Sequence, residues 1–202
     1  MELLSDLLVF GRRAGMGAAN YVKQVEAVKI SEVTIKHAAE KVAAPFKRVG
    51  GENPYTLHQE LQEITHNLVG IIRTKTELAD AINKIADIRK RIENVTVSGD
   101  RLFNPGFHLS FDLDNMLLVA ESTAKSAIVR EESRGGHTRD DFPVMDTKWR
   151  QINNISSFNG KEVVVKQQGL PPMPNELFEL FDIHELEKYM SKEETARGGV
   201  KL

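Results

Sequence analysis

Three stretches of apolar residues at helical spacing constrain this chain more than any other feature. Leu57, Leu61, Ile64, Leu68 and Ile71 follow one another at steps of four, three, four and three. Leu78, Ile82, Ile85, Ile92 and Val95, with Ile88 beside them, repeat the pattern. Leu113, Met116, Leu117, Ala120, Ala124 and Ala127 share one side of a third stretch, Leu109 to Arg130. Such spacing gathers side chains into a stripe along a helix, and the stripe must be covered by other helices. Three amphipathic helices with short links are most simply an antiparallel three-helix bundle, and the fold class expected is mainly α. The alanines of the third stretch allow a neighbouring helix to approach closely. Between the first two stretches, Thr74 to Thr76 supply a cap, and Glu77 suits the positive N-terminal end of the helix that follows.

The flanks are less regular. The first twenty-odd residues read as a helix with Ser5 or Asp6 as its cap, although Gly11, Gly15 and Gly17 each cost about 1 kcal/mol against alanine and call for close packing on another surface. Residues 25 to 52 are a mixed stretch ending in Pro45 and the Gly50-Gly51 pair, taken as a junction. Gly99, Pro105 and Gly106 mark a loop before the third helix. After Pro143 come Trp149, the turn signal Asn159-Gly160, the extended run Val163-Val164-Val165, a Pro-rich turn, a last helix near Asn175 to Met190 and polar closing residues. The expected divisions are 1–52, 53–143 and an irregular tail, 144–202.

Composition excludes several chemistries. The 27 Lys and Arg against 29 Asp and Glu leave a net charge of -2, which offers no broad basic field for nucleic acid. Without cysteine there are no disulfides, thiolate nucleophiles or cysteine-ligated clusters. The apolar run Leu7 to Phe10 is far too short to span a bilayer, so a cytoplasmic-side protein without direct membrane insertion is expected. No dinucleotide fingerprint, P-loop, zinc pair or nucleophile elbow is present, and the six scattered histidines suggest no metal site. No residue is assigned a catalytic role.

The densest segment runs from Arg130 to Pro143. Here a helix is expected to end at Gly135-Gly136, and the chain leaves through Arg134, His137, Arg139, Asp140 and Asp141. One reading is a salt-bridged helix terminus in which guanidinium groups satisfy carbonyls and carboxylates. The other is a docking or catalytic loop, since such a set can relay protons or clamp an anion.

Asn104-Pro105-Gly106-Phe107-His108-Leu109, the run from Glu132 to Pro143 and Trp149-Arg150 together resemble the C-terminal domain of succinate dehydrogenase and fumarate reductase flavoproteins. Leu4 to Gly15 is similar to the helix that closes the family's flavin-binding domain. The resemblance implies that 1–52 is a remnant of that domain with its junction, that 53–143 is the helical C-terminal bundle, and that the complete subunit interconverts succinate and fumarate with FAD and passes electrons to an iron-sulfur subunit. The implied partners are the flavin-binding domain of the same subunit and the iron-sulfur subunit, through which the protein would sit at the inner face of the cell membrane. The family's flavin-linking and substrate-gripping residues lie upstream of this segment, so the chain alone is expected to hold no cofactor and to be inactive. The family's Ser-Leu pair near the flavin falls on Leu3 and Leu4, leaving Leu4 as the single matching cofactor contact. Arg134, His137, Arg139 and Asp140 would then fix the bundle against the flavin domain. A non-catalytic interaction module and the equivalent domain of L-aspartate oxidase are the alternatives.

Overall fold

The structure is a computed structural model that describes residues 3–172, 174–178 and 180–190. It divides into two compact units, one up to Ala44 and one from Pro45 onward. The first holds α1 (Leu3–Val22) and most of α2 (Glu32–Lys47). Helix α1 is already under way at Leu3, so Ser5 and Asp6 lie in its first turn and do not cap it. Helix α2 occupies the stretch expected to be mixed. Its start is marked by Ser31, whose hydroxyl accepts the Thr34 N–H at 3.1 Å, a capping arrangement. Pro45 sits inside its last turn, where it ends the helix without breaking it. Every described residue from Leu4 to Val42 is exposed, including Leu7, Leu8 and Phe10. A Cβ added at Gly11, Gly15 or Gly17 would meet nothing within 4 Å, so the close packing that would offset these glycines is not supplied by the described residues.

The second unit contains the bundle: α3 (Pro54–Leu68), α4 (Lys75–Ile92) and α5 (Pro105–Val129). The end of α4 lies beside the start of α3, where Arg91 pairs with Glu52 and Glu60, and Tyr55 at the start of α3 lies against Gly106 at the start of α5. The helices therefore run up, down and up, the antiparallel arrangement. Leu57, Leu61, Leu78, Ala81, Ile85, Ile88, Leu113, Leu117 and Ala124 form a dry core, with Ile64, Leu68, Ile82, Ile92 and Met116 partly buried around it. Ile71 departs from its predicted stripe. Helix α3 ends at Leu68, and Ile71 lies beyond it, 77% exposed.

Local signals fix the helix ends. Thr74 and Glu77 form a reciprocal capping box: the Thr74 hydroxyl accepts the Glu77 N–H, and the Glu77 carboxylate accepts the Thr74 N–H at 2.8 Å. Helix α5 starts earlier than expected, because Asn104-Pro105-Gly106 is its cap and first turn, not a loop. Asn104 Oδ1 accepts the Phe107 N–H at 3.1 Å, its Nδ2 donates to Ser98 O and Asp100 O, and Pro105 takes the first helical position, which has no N–H to waste.

The tail is more regular than expected. After α6 (Thr147–Arg150), β3 (Ile152–Phe158) and β4 (Val163–Gly169) pair antiparallel over their full lengths, from Ile152 opposite Gly169 to Phe158 opposite Val163. The turn uses Asn159, whose Oδ1 accepts the Lys161 and Glu162 N–H groups, and Gly160 at φ +93°, which a side chain would strain. This hairpin lies on α5, anchored by Glu121, a nearly buried carboxylate that accepts from Arg89 (2.6 Å), Lys125 (2.8 Å) and the Val163 N–H (3.2 Å). The predicted last helix is split into α7 (Asn175–Phe178) and α8 (Ile183–Tyr189), the second capped by Asp182. The polar residues 191–202 lie outside the described residues. No helix among the described residues is long and apolar enough to cross a membrane.

Two outcomes follow. Thr74→Ala should lower stability by about 1 kcal/mol through loss of the cap, seen as a lower urea midpoint at unchanged slope. The full chain should bind an apolar fluorescent dye, and Leu8→Asp with Phe10→Asp should remove most of that signal without changing the helical circular dichroism.

Candidate functional site

The charged segment folds into a clamp at the end of the bundle where α5 finishes and α4 begins. Helix α5 ends at Val129, ahead of the glycine pair that was expected to end it. Gly135 and Gly136 instead form the tip of a two-residue turn closed by Arg134 N to His137 O at 2.8 Å and His137 N to Arg134 O at 3.0 Å, with Gly135 at φ +58°. The turn sends the chain back as β2 (Thr138–Arg139), which pairs in parallel with β1 (Ile72–Arg73) just before α4.

Arg139 occupies the centre and is fully buried. Its Nη1 donates to the carbonyls of Ala127 (2.9 Å), Ile128 (3.2 Å) and Arg130 (3.3 Å) at the end of α5, where Ala127 O also accepts the Arg130 N–H. Its Nε and Nη2 each donate to one oxygen of Asp141 at 2.7 Å, a bidentate pair. Asp141 also accepts the Lys75 N–H at 3.0 Å, at the positive N-terminal end of α4. The hydrogen bonds from Arg139, working against burial, bring the Asp141 carboxyl down to about 2.

Glu132 forms a second centre and is also fully buried. It accepts from Arg130 (Nε 2.9 Å, Nη2 2.6 Å), from Arg134 (Nε 2.9 Å, Nη2 3.0 Å) and from the Asp146 N–H (3.0 Å). Burial disfavours its ionised form, but the bonds from Arg134, Asp146 and Arg130 outweigh it and hold the carboxyl below its ordinary range. Arg130 also donates to Trp149 O at 3.0 Å, and its guanidinium lies 5.8 Å from the Trp149 ring centre, fixing α6 to the clamp. His137 directs Nε2 at Arg130 O, 3.1 Å away. Burial lowers its pKa, the bond to Arg130 O opposes that, and the charges of Arg73, Arg139 and Arg130 lower it further.

Of the residues singled out in the sequence, Arg134, His137 and Arg139 come together here. Asp140 does not join them: its side chain is exposed, and among the described residues it is engaged through its backbone N–H, which donates to Arg73 O. The carboxylates that do the pairing are Asp141 and Glu132. The strand ends at Arg139, and a turn closed by the Phe142 N–H on Arg139 O (3.1 Å) carries Asp141 back to the Arg139 guanidinium, a placement that residue types alone do not signal. Leu4 belongs to the first unit and is 78% exposed. No group of His, Asp and Glu side chains suited to a metal ion occurs among the described residues. The arrangement satisfies helix ends and carboxylates almost completely, as a structural clamp does.

Removing the central cation should be severe. Arg139→Met removes the bidentate partner of Asp141 and the donor shared by the Ala127, Ile128 and Arg130 carbonyls and should cost about 2–3 kcal/mol by urea denaturation. The pH profile should show two losses. His137, with its lowered pKa, contributes stability that is present above its unfolded value near 6.5 and lost as pH falls below it. Asp141 and Glu132, also lowered, contribute stability that is present above pH 4.5 and lost as pH falls toward 2.

The family described as fumarate reductase flavoprotein C-term matches residues 58–176, the bundle, the clamp and the hairpin together. Among curated proteins, the chain is 33% identical over 146 residues to a fumarate reductase flavoprotein subunit of Haemophilus influenzae, covering 71% of this chain and 24% of that protein. It is 32% identical over 155 residues to a succinate dehydrogenase flavoprotein subunit of Rickettsia bellii, covering 73% and 25%. Among solved structures, a chain of the Mycobacterium smegmatis Sdh1 complex in the apo form superposes with a TM-score of 0.87 at 48% identity, covering 96% of this chain and 34% of that one. The chain thus spans about a quarter to a third of the length of the proteins it matches.

Proposed function

Because this chain belongs to the fumarate reductase flavoprotein C-terminal family, we propose that it is the helical C-terminal portion of a flavoprotein subunit that interconverts succinate and fumarate. The observation that carries this reading is that the family's match extends over both the bundle and the clamp that closes it, in a chain much shorter than the full subunits. In this reading FAD is held by the complete subunit, electrons pass to an iron-sulfur subunit, and the assembly lies at the inner face of the membrane through its partners.

The described residues do not fit an FAD site on their own. Leu4, the one position that matched a flavin contact, is an exposed side chain on α1, and no described strand leads through a glycine loop into a helix N-terminus that would take a pyrophosphate. In this reading the chain's contribution is architectural. Arg139, Arg134 and His137 keep the end of the bundle fixed, and the exposed α1 offers apolar side chains to the flavin-binding portion of the subunit.

Purification of the chain from its own source under non-denaturing conditions tests the reading. The expected result is a larger co-purifying polypeptide, the visible absorption band of an oxidised flavin, and succinate-dependent dye reduction by the mixture. A colourless chain of 22.7 kDa alone would overturn it in favour of a separate interaction module.

A further inference from the structure

Arg73 differs from the other guanidinium groups at this end of the bundle. Arg130 and Arg134 share Glu132, and Arg139 has Asp141 and the α5 carbonyls. Arg73 lies across the β1–β2 ladder from Arg139, half-buried, with its Nε out of contact with solvent and without a hydrogen-bond partner among the described residues. The carboxylates around it are committed: Glu132 to two arginines and the Asp146 N–H, Asp141 to Arg139 and the Lys75 N–H, and Glu77 to Thr74. Asp140, whose N–H donates to Arg73 O, turns an exposed carboxylate outward, and no ion pair joins it to Arg73 among the described residues. Burial and the charge of Arg139 both lower the pKa of Arg73, the direction expected of a cation that lacks its counter-charge.

The chain immediately before it supplies the other half of a recognition surface. Ile71 is 77% and Ile72 62% exposed, so two large aliphatic side chains lie open to solvent at the two positions before Arg73, whose Nε has no partner among the described residues. A guanidinium fork next to apolar surface recognises a carboxylate set beside an apolar side chain, a combination that polypeptides carry and free inorganic anions do not. We propose that Arg73, with Ile71 and Ile72, is a docking site for a polypeptide segment that presents an Asp or Glu carboxylate next to an aliphatic residue. Charge complementarity selects this occupant, since the carboxylate supplies the acceptor that Nε lacks while the flanking residue covers the isoleucines.

The test uses the full chain labelled with nitrogen-15, following the Arg73 Nε–H resonance, identified by its loss in Arg73→Lys. The probes are the blocked tripeptides acetyl-Leu-Glu-Leu-amide and acetyl-Leu-Gln-Leu-amide, and sodium malonate. The expected result is a saturable shift of Arg73 and of the backbone amides of 71–73 and 138–140 with the Glu peptide. Binding should be weaker by roughly tenfold or more for the Gln peptide and for the Arg73→Gln chain. Absence of saturation, equal binding of both peptides, or binding unchanged in Arg73→Gln would overturn the proposal. Malonate binding as tightly as the Glu peptide would overturn it in favour of a free small-anion site, and shifts that track chain concentration without peptide would do so in favour of a second copy. Should Arg73→Gln fail to fold, the comparison of the two peptides on the unaltered chain decides the matter.

Discussion

One ion pair, the buried Arg139 with the partly exposed Asp141, closes the bundle. Arg139 meets the negative end of α5 through three carbonyls, and Asp141 meets the positive end of α4 through the Lys75 N–H. The two charges therefore neutralise each other and two opposed helix termini at once. Only the guanidinium is taken out of water, and its donors are met by Asp141 and the α5 carbonyls, so the desolvation that a buried charge suffers is offset at that one group. Everything around the pair follows from that requirement. The tight turn at Gly135-Gly136 brings the chain back, the short ladder to Ile72–Arg73 sets the depth, and Glu132 holds Arg130 and Arg134 where they support Trp149 and α6.

The opposite end of the bundle is organised with looser means. Arg91 spans Glu52 and Glu60 at a partly exposed surface, where such pairs contribute little each, and the segment before α3 is held by backbone pairing of Glu52 with Asn94 and Thr96. The hairpin is secured on the flank of α5 by the nearly buried Glu121, which serves two cations and one backbone amide, together with Lys125 on Glu162 and the Val163 carbonyl and Asn154 on the Ser126 carbonyl. The polar groups that matter here are thus concentrated at a few buried positions, in keeping with the rule that buried charges are tolerated only when fully partnered.

The bundle was legible in the sequence because a period of 3.6 residues is long-lived over three helices, and because Thr74 with Glu77 spells a capping box. Its borders were less so. Ile71 continues the stripe arithmetically, but the helix has already ended, since periodicity does not show where hydrogen bonding stops. The residues Asn104-Pro105-Gly106 resemble a loop in composition, yet each suits a helix start. Strand β3 was missed because Ile152 to Phe158 alternates weakly and owes its conformation to pairing with the valine strand, a tertiary effect. Helix α2 was missed because its faces carry no apolar stripe that the chain itself buries. In the clamp, the residue types were evident but their pairing was not: which carboxylate meets Arg139 depends on the turn from Arg139 to Phe142, and the burial of Glu132 depends on α6 returning to cover it.

The clamp joins parts of the chain that are far apart in order. Asp141 and Lys75 stand 66 positions from each other, whereas the contacts between α3 and α4 are made by neighbouring segments. Closing so large a loop is entropically slow, and nearby helices pair first. An interaction absent from the transition state changes how fast a protein comes apart, with little effect on how fast it assembles. Arg139 and Asp141 therefore act as a latch on the lifetime of the folded bundle, engaged after the helices have already met.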